Sequence, residues 1–329
     1  MLHHNRISNA IGAKIQIATC FTIFMKKTFY SNGKLLITAE YLVLNGATAL
    51  ALPTKFGQNL VVENGSGQQI VWKSYDADGS IWFDEIILFT DIVNKITFSE
   101  NSVKSTLIEI LHEGYQLNPK FITESEGYII ATALTFPKFW GLGTSSTLIN
   151  NIAQWLEIDA FILLKNSFGG SGYDIACAQN NAAILYQIVQ DKPIIKPIIF
   201  NPIFAHNIYF VYLNKKQNSK TAIANYRKNK VNFSELIPKI NAMTNVIAST
   251  TDLSEFTKAI EKHEKVISKV LEIETIKEAL FPDFCGPIKS LGAWGGDFVM
   301  VVSINNPTEY FSAKGFNIVI PYNEMILQQ

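Results

Sequence analysis

Arginine is almost absent from this chain: among 28 basic residues only Arg6 and Arg227 are not lysine. Bidentate guanidinium clamps are therefore scarce, and any phosphate must be held by lysine, backbone N–H groups or a metal ion. Net charge is absent too, with 28 basic and 28 acidic residues. That excludes a protein that holds nucleic acid or an anionic membrane surface through bulk charge, so an anion needs a local pocket. The cysteines Cys20, Cys177 and Cys285 are isolated and have no paired metal-ligand spacing. Buried, reduced thiols in a cytoplasmic protein are expected. Long apolar runs are missing as well. Residues 11–24 come nearest, but Lys14 and Gln16 interrupt them and the run is too short to span a bilayer. The preferred reading makes Met25 the natural start and 1–24 an upstream extension, non-native or disordered; a weak signal peptide without a convincing cleavage site is the alternative.

What is present is a folded-protein composition: 329 residues, 48% hydrophobic and 17% charged, enough for two domains or one large α/β unit. Residues 27–84 read as β-rich, and Asn45-Gly46 between 33–44 and 47–52 reads as a hairpin turn. Helical spacing covers 102–114 up to a glycine stop, and 127–134 reads as a strand. Helices are expected over 147–156, 160–168 and from 173 to 178, followed by a strand at 182–189. Pro193, Pro197 and Pro202 mark passage into a second domain with a strand at 207–213, helices across much of 219–279, and a strand pair near 297–304 and 316–320. This order predicts an α+β fold with domains at 25–192 and 193–329, not a Rossmann series.

Four segments carry the chemistry. The most informative is Pro137 to Thr147, where Gly141-Leu142-Gly143-Thr144-Ser145-Ser146 leads into an apolar helix. Glycines allow a sharp turn and close backbone approach, and the hydroxyl residues stand where a helix N-terminus favours an anion. A phosphate cradle and a capped turn both fit. In Gly33-Lys34-Leu35-Leu36-Ile37-Thr38-Ala39-Glu40-Tyr41, period-two alternation puts Lys34 and Glu40 on one strand face, as phosphate and magnesium ligands or as an exposed pair. In Gly169-Gly170-Ser171-Gly172-Tyr173-Asp174, Asp174 is placed to orient or deprotonate a hydroxyl, or to cap a helix. Gly292-Ala293-Trp294-Gly295-Gly296-Asp297 is a close-approach loop or a tight turn.

In order and wording these segments resemble the motifs of the GHMP small-molecule kinases over roughly residues 28–304. The resemblance implies a two-domain fold, with an N-terminal domain like ribosomal protein S5 domain 2 and a ferredoxin-like C-terminal domain. It implies ATP and Mg²⁺ in the cleft between them. Gly141, Leu142, Gly143, Thr144, Ser145 and Ser146 would hold ATP, with Ser145 and Glu40 near the metal. Asp174 and Lys34 would be catalytic. Glu40, Tyr41, Ser171, Gly172, Ser219, Lys220, Gly292, Gly295, Gly296 and Asp297 would contact the substrate. Three departures stand out: no acid lies in 161–168, where many members carry a magnesium ligand, Glu157 and Asp159 being further back; Ala39 replaces a glycine; and Trp294 replaces a small residue.

Ala39-Glu40-Tyr41 and the closing Gly-Gly-Asp resemble phosphomevalonate kinases more than mevalonate kinases. The expected acceptor is 5-phosphomevalonate, with mevalonate or another metabolite of the superfamily next; the 215–221 loop reads as a solvated lysine loop or as the place that, with Lys138 and Lys289, meets a substrate phosphate. A catalytically silent nucleotide-binding protein on the same fold is the alternative of another class. A small-molecule partner is expected, neither nucleic acid nor membrane; homodimerisation is left open.

Overall fold

A computed structural model describes residues 26–99, 102–216, 223–224, 226–228 and 232–328. Residues 1–24, the Met25 start, and Ser219 and Lys220 lie outside the described residues.

Strand β1 (Lys27–Leu36) runs antiparallel to β2 (Ala49–Asn64), a long strand at the centre of the first sheet. The other edge of β2 is shared. Its C-terminal half pairs with β5 (Gly127–Leu134) and its start with β6 (Ala183–Val189). Beyond β5 lie β3 (Gln69–Tyr75) and β4 (Ile81–Leu88); beyond β6 lies β7 (Lys192–Ile198). The second sheet has the order β11-β8-β10-β9, from β8 (Ile208–Tyr212), β9 (Ile288–Ser290), β10 (Phe298–Val302) and β11 (Val319–Pro321). The result is a mixed α+β architecture, as expected.

Several boundaries differ from the sequence reading, each for a tertiary reason. β1 ends at Leu36: Ile37 N still donates to its in-register partner Leu50 O at 2.8 Å, but Leu50 N turns away to Thr38 Oγ1 at 2.8 Å. The hairpin link is consequently long and holds a short 3₁₀ turn, Leu42–Asn45, ended by left-handed Gly46. The helix Val103–Leu117 runs through Gly114, which is no stop: a Cβ there would meet Leu156 Cδ1 at 2.7 Å. β7 pairs fully with β6, so the chain leaves the first sheet after Ile198, not at 192/193. β10 and β11 do not pair; both flank β8.

One apolar core joins the sheets. Leu35, Leu50 and Leu134 from the first pack with Phe210, Phe298 and Phe256 from the second sheet and its helix. Each fully buried side chain of this size is worth about 1.5–3 kcal/mol, so the shared core fixes the halves against each other. A second cluster lies between the first sheet and the helices Val103–Leu117 and Thr144–Leu156.

Candidate functional site

The glycine loop is docked on β1 through a bulge. Register shifts between Asn32 and Lys34, and Lys34 N donates to Leu142 O at 3.0 Å. Gly33 makes this approach feasible, since a Cβ there would sit 2.9 Å from Leu142 O. Leu142 itself is fully buried in the shared core. Of the six loop residues expected to hold ATP, Leu142 therefore turns its side chain into the core, where it anchors the loop.

Behind the loop, the helix Thr144–Leu156 starts from Gly143, whose φ is 98°. Polar contacts pin this helix to the sheet. Asn151 Nδ2 donates to Gln58 O at 2.9 Å, Thr147 Oγ1 to Gln58 Oε1 at 2.7 Å, and Asn150 Nδ2 to Ser31 Oγ at 2.8 Å. Buried, satisfied contacts of this kind leave the helix little freedom to slide, so its first turn is held in place.

Gly141, Gly143, Thr144, Ser145 and Ser146 line a cleft of about 240 Å³. Lys34, Tyr41, Ser171, Asp174, Gly292 and Asp297 line it too. The segments singled out in the sequence thus converge on one cleft. Lys34 Nζ lies 3.4 Å from Asp174 Oδ1 and 3.2 Å from Gly141 O, and 5.5 Å from the centre of the Tyr173 ring. Burial alone would lower the Lys34 pKa, but Tyr173, Asp174 and Asp297 outweigh it and hold the ammonium above the ordinary lysine value. Lys34 is therefore charged at neutral pH. Asp174 follows left-handed Gly172 (φ 85°), whose place Tyr186 and Phe161 restrict; a Cβ would meet them at 3.0 and 3.1 Å.

Asp297 carries the second sheet's contribution. Its backbone is left-handed (φ 51°), and its carboxylate occupies the space a Cβ on Gly141 would need. The glycine at 141 thus lets two loops from different sheets touch. Lys138 and Lys216 also line the cleft, near Phe139 at 5.0 and 5.7 Å from its ring centre. A wall of Leu36, Val43, Leu44, Leu164, Phe168 and Ile223 completes it. These apolar residues were not picked out from sequence, because in pattern they are indistinguishable from core.

Not every expected residue is here. Lys34 and Glu40 do not share a face: Lys34 points into the cleft, whereas Glu40 is fully buried, is not a lining residue and contacts Lys289 Nζ. The magnesium and substrate assignments of Glu40 therefore give way to a buried ion pair. Lys289, expected near a substrate phosphate, is sequestered in the same pair. Gly172, Gly295 and Gly296 shape the loops without lining the cleft. Trp294 is buried against the packing around Tyr41, and its φ is 53°. Asp159, one of the acids upstream of Asp174, caps the helix Ala160–Ser167 by accepting from Phe161 N at 2.7 Å and Ile162 N at 3.1 Å.

The donor set fits a nucleoside triphosphate: a glycine turn, a helix N-terminus and lysines around one space. It also fits Mg²⁺, which takes few protein ligands beside phosphate oxygens and water. Ser145, Asp174 and Asp297 are among the oxygen-bearing side chains of the cleft, although among the described residues no cluster of three His, Cys, Asp or Glu forms a self-sufficient metal site. Among the described residues no helix is long and apolar enough to cross a membrane.

Neither a protein-family model nor a curated protein matches the chain. Solved structures do. Mevalonate kinase of Methanococcus jannaschii is 15% identical, with a TM-score of 0.65 over 93% of this chain and 99% of that one. Phosphomevalonate kinase of Streptococcus pneumoniae, in complex with phosphomevalonate and AMPPNP, is 16% identical, with a TM-score of 0.63 over 92% and 98%. A D-glycero-D-manno-heptose 1-phosphate kinase from Bacteriodes thetaiotaomicron is 16% identical, with a TM-score of 0.61 over 92% and 96%. The chain has the fold of the GHMP kinases.

Proposed function

We propose that this protein is an ATP-dependent small-molecule kinase. The observation that carries the reading is the Lys34–Asp174 pair facing the glycine loop across one cleft. Phosphoryl transfer needs mainly positioning and charge stabilisation, and this set supplies both. The first-turn amides after Gly143 and the hydroxyls of Thr144, Ser145 and Ser146 would bind the phosphates of ATP. Asp174 would orient the acceptor hydroxyl and take its proton as the new O–P bond forms and the bond to the leaving ADP breaks. Lys34 pairs with Asp174 at 3.4 Å and faces the charge that develops on the transferring group. Bound Mg²⁺ would neutralise phosphate charge, with Ser145 and either Asp174 or Asp297 as its protein ligands.

For the acceptor, an isoprenoid precursor is favoured, first 5-phosphomevalonate and then mevalonate. Support comes from Tyr41 at the cleft, the apolar wall, and Lys138 and Lys216, which give an anionic group two cations to meet. The fold is shared with enzymes named for mevalonate, phosphomevalonate and a heptose phosphate, so turnover must choose among them. Release of ADP should be measured with phosphomevalonate, mevalonate, galactose, homoserine and the heptose phosphate. Fastest turnover of phosphomevalonate is expected. Binding of ATP–Mg²⁺ without turnover of any acceptor would instead make the protein a silent nucleotide binder.

A further inference from the structure

Four ionisable side chains form a second cluster that the chemistry above does not use. Glu40, His263 and Lys289 are fully buried and Glu264 nearly so. They come from the segment after β1, the helix Leu253–Leu271 and strand β9. Glu40 Oε1 contacts Lys289 Nζ, which lies 3.5 Å from Glu264 Oε2 and donates to Ser290 O at 2.9 Å. Glu264 Oε1 accepts from Ser290 N at 3.0 Å and Ser290 Oγ at 2.7 Å. Ala39 N donates to His263 Nε2 at 3.0 Å, which makes His263 neutral with its proton on Nδ1. Burial, helped by Lys289, holds its pKa well below the ordinary histidine value.

A cluster like this is a poor device for stability alone, since apolar residues of the same volume serve as well. Its value lies in what it joins. Ala39 and Tyr41, on either side of Glu40, both have a left-handed φ of 62°, a conformation that needs support from its surroundings. Tyr41 lines the cleft and its hydroxyl donates to Ala293 O at 2.8 Å. From the other partner, Lys289-Ser290 leads directly into residues 291–297, which bring Gly292, Ala293 and Asp297 to the cleft. Two loops of the cleft wall therefore hang from one buried set of charges.

We propose that Glu40, Lys289, Glu264 and His263 act as a positioning clamp that holds Tyr41 and the 291–297 loop against each other and so sets where an acceptor lies relative to Asp174. The effect on turnover rests on the kinase reading; the effect on the loops does not. Hydrogen exchange and steady-state kinetics should be measured on the wild type and on Glu40→Gln, which keeps the shape and removes the charge. In folded Glu40→Gln, the amides of 39–43 and 291–297 should exchange about tenfold faster or more while those of β5 stay unchanged. Its kcat should fall about tenfold, with KM for ATP changed less than about threefold, because the 141–146 loop and the helix behind it keep their own anchors on β1 and β2. Unchanged exchange in both segments would overturn the clamp. Should the variant not fold, wild-type exchange decides. The amides of Ala39 and Ser290, both held by the cluster, should open together, with protection within about tenfold of each other. A wider separation would overturn the proposal. If the wild type turns over no acceptor, the kinase reading falls, and the exchange results still judge the clamp.

Discussion

Lys34–Asp174 and Lys289–Glu40 pair the same chemical groups in two very different settings. The first pair is open to the cleft, its side chains 13% and 25% exposed; the second is 0% exposed on both sides. One sequence motif supplies a member to each, Lys34 and Glu40. The comparison teaches that a lysine–carboxylate pair is defined by its surroundings. Facing a solvent-filled cleft, the charges remain available to a ligand; enclosed in protein, they can act only on the chain that holds them.

The largest effect is expected from breaking the open pair chemically. Asp174→Asn should lower turnover by about 10²–10⁴-fold, the range for removing a general base, while ATP–Mg²⁺ binding by calorimetry stays close to wild type. Retained turnover would take Asp174 out of the chemistry. Next comes the closed pair. Lys289→Met leaves Glu40 and Glu264 without their ammonium, and a loss of about 3–5 kcal/mol is expected in denaturant unfolding. A loss much smaller than that would mean that the two carboxylates are relieved by water or protonation.

The pH dependence sharpens the contrast. Burial pushes the Glu40 carboxyl up to about 7 against the pull of Lys289, with Glu264 adding to the rise. The folded protein then keeps a proton that the unfolded chain has released, so this group costs stability as pH rises from about 4.5 to about 7. Glu264 has the same sign, since burial raises its pKa too. His263, lowered by burial, has the opposite sign and acts below about 6.5. Both remain in Glu40→Gln, as do Lys289 and Tyr41. The wild type should therefore lose up to about 3 kcal/mol relative to that variant between pH 4.5 and 7, measured by unfolding at each pH. Parallel curves would count against it. Asp159 gives the smallest effect and a third setting. As a helix cap, Asp159→Ala should cost about 1 kcal/mol in thermal unfolding and leave the metal dependence of turnover unchanged.

The cleft's first layer was legible in the sequence because glycine and hydroxyl residues mark a sharp turn before a helix in chain order alone. The end of β1 was not legible. Alternation continues through Ile37, Thr38, Ala39 and Glu40, and left-handed Ala39 and Tyr41 carry no local signal, since neither residue type favours that conformation. The buried role of Glu40 was hidden for another reason: its partner lies 249 residues away, on a short strand whose lysine looks solvated in isolation. A signal did exist in the helix Leu253–Leu271. His263 and Glu264 fall on the buried stripe with Phe256, Ile260 and Ile267, where polar residues demand partners. The order of the second sheet escaped because β8 sits between strands that follow it in sequence.

The core shared by the two sheets also bears on how the chain is made. Leu35, Leu50 and Leu134 are synthesised long before Phe210, Phe256 and Phe298, which cover them. A nascent chain can close β1, β2 and β5 early, yet it presents a bare apolar face until the second sheet emerges. That interval favours aggregation and gives holding chaperones a surface to bind. Slower arrival of the later strands should then lower the soluble yield in the cell even where the finished fold is unchanged.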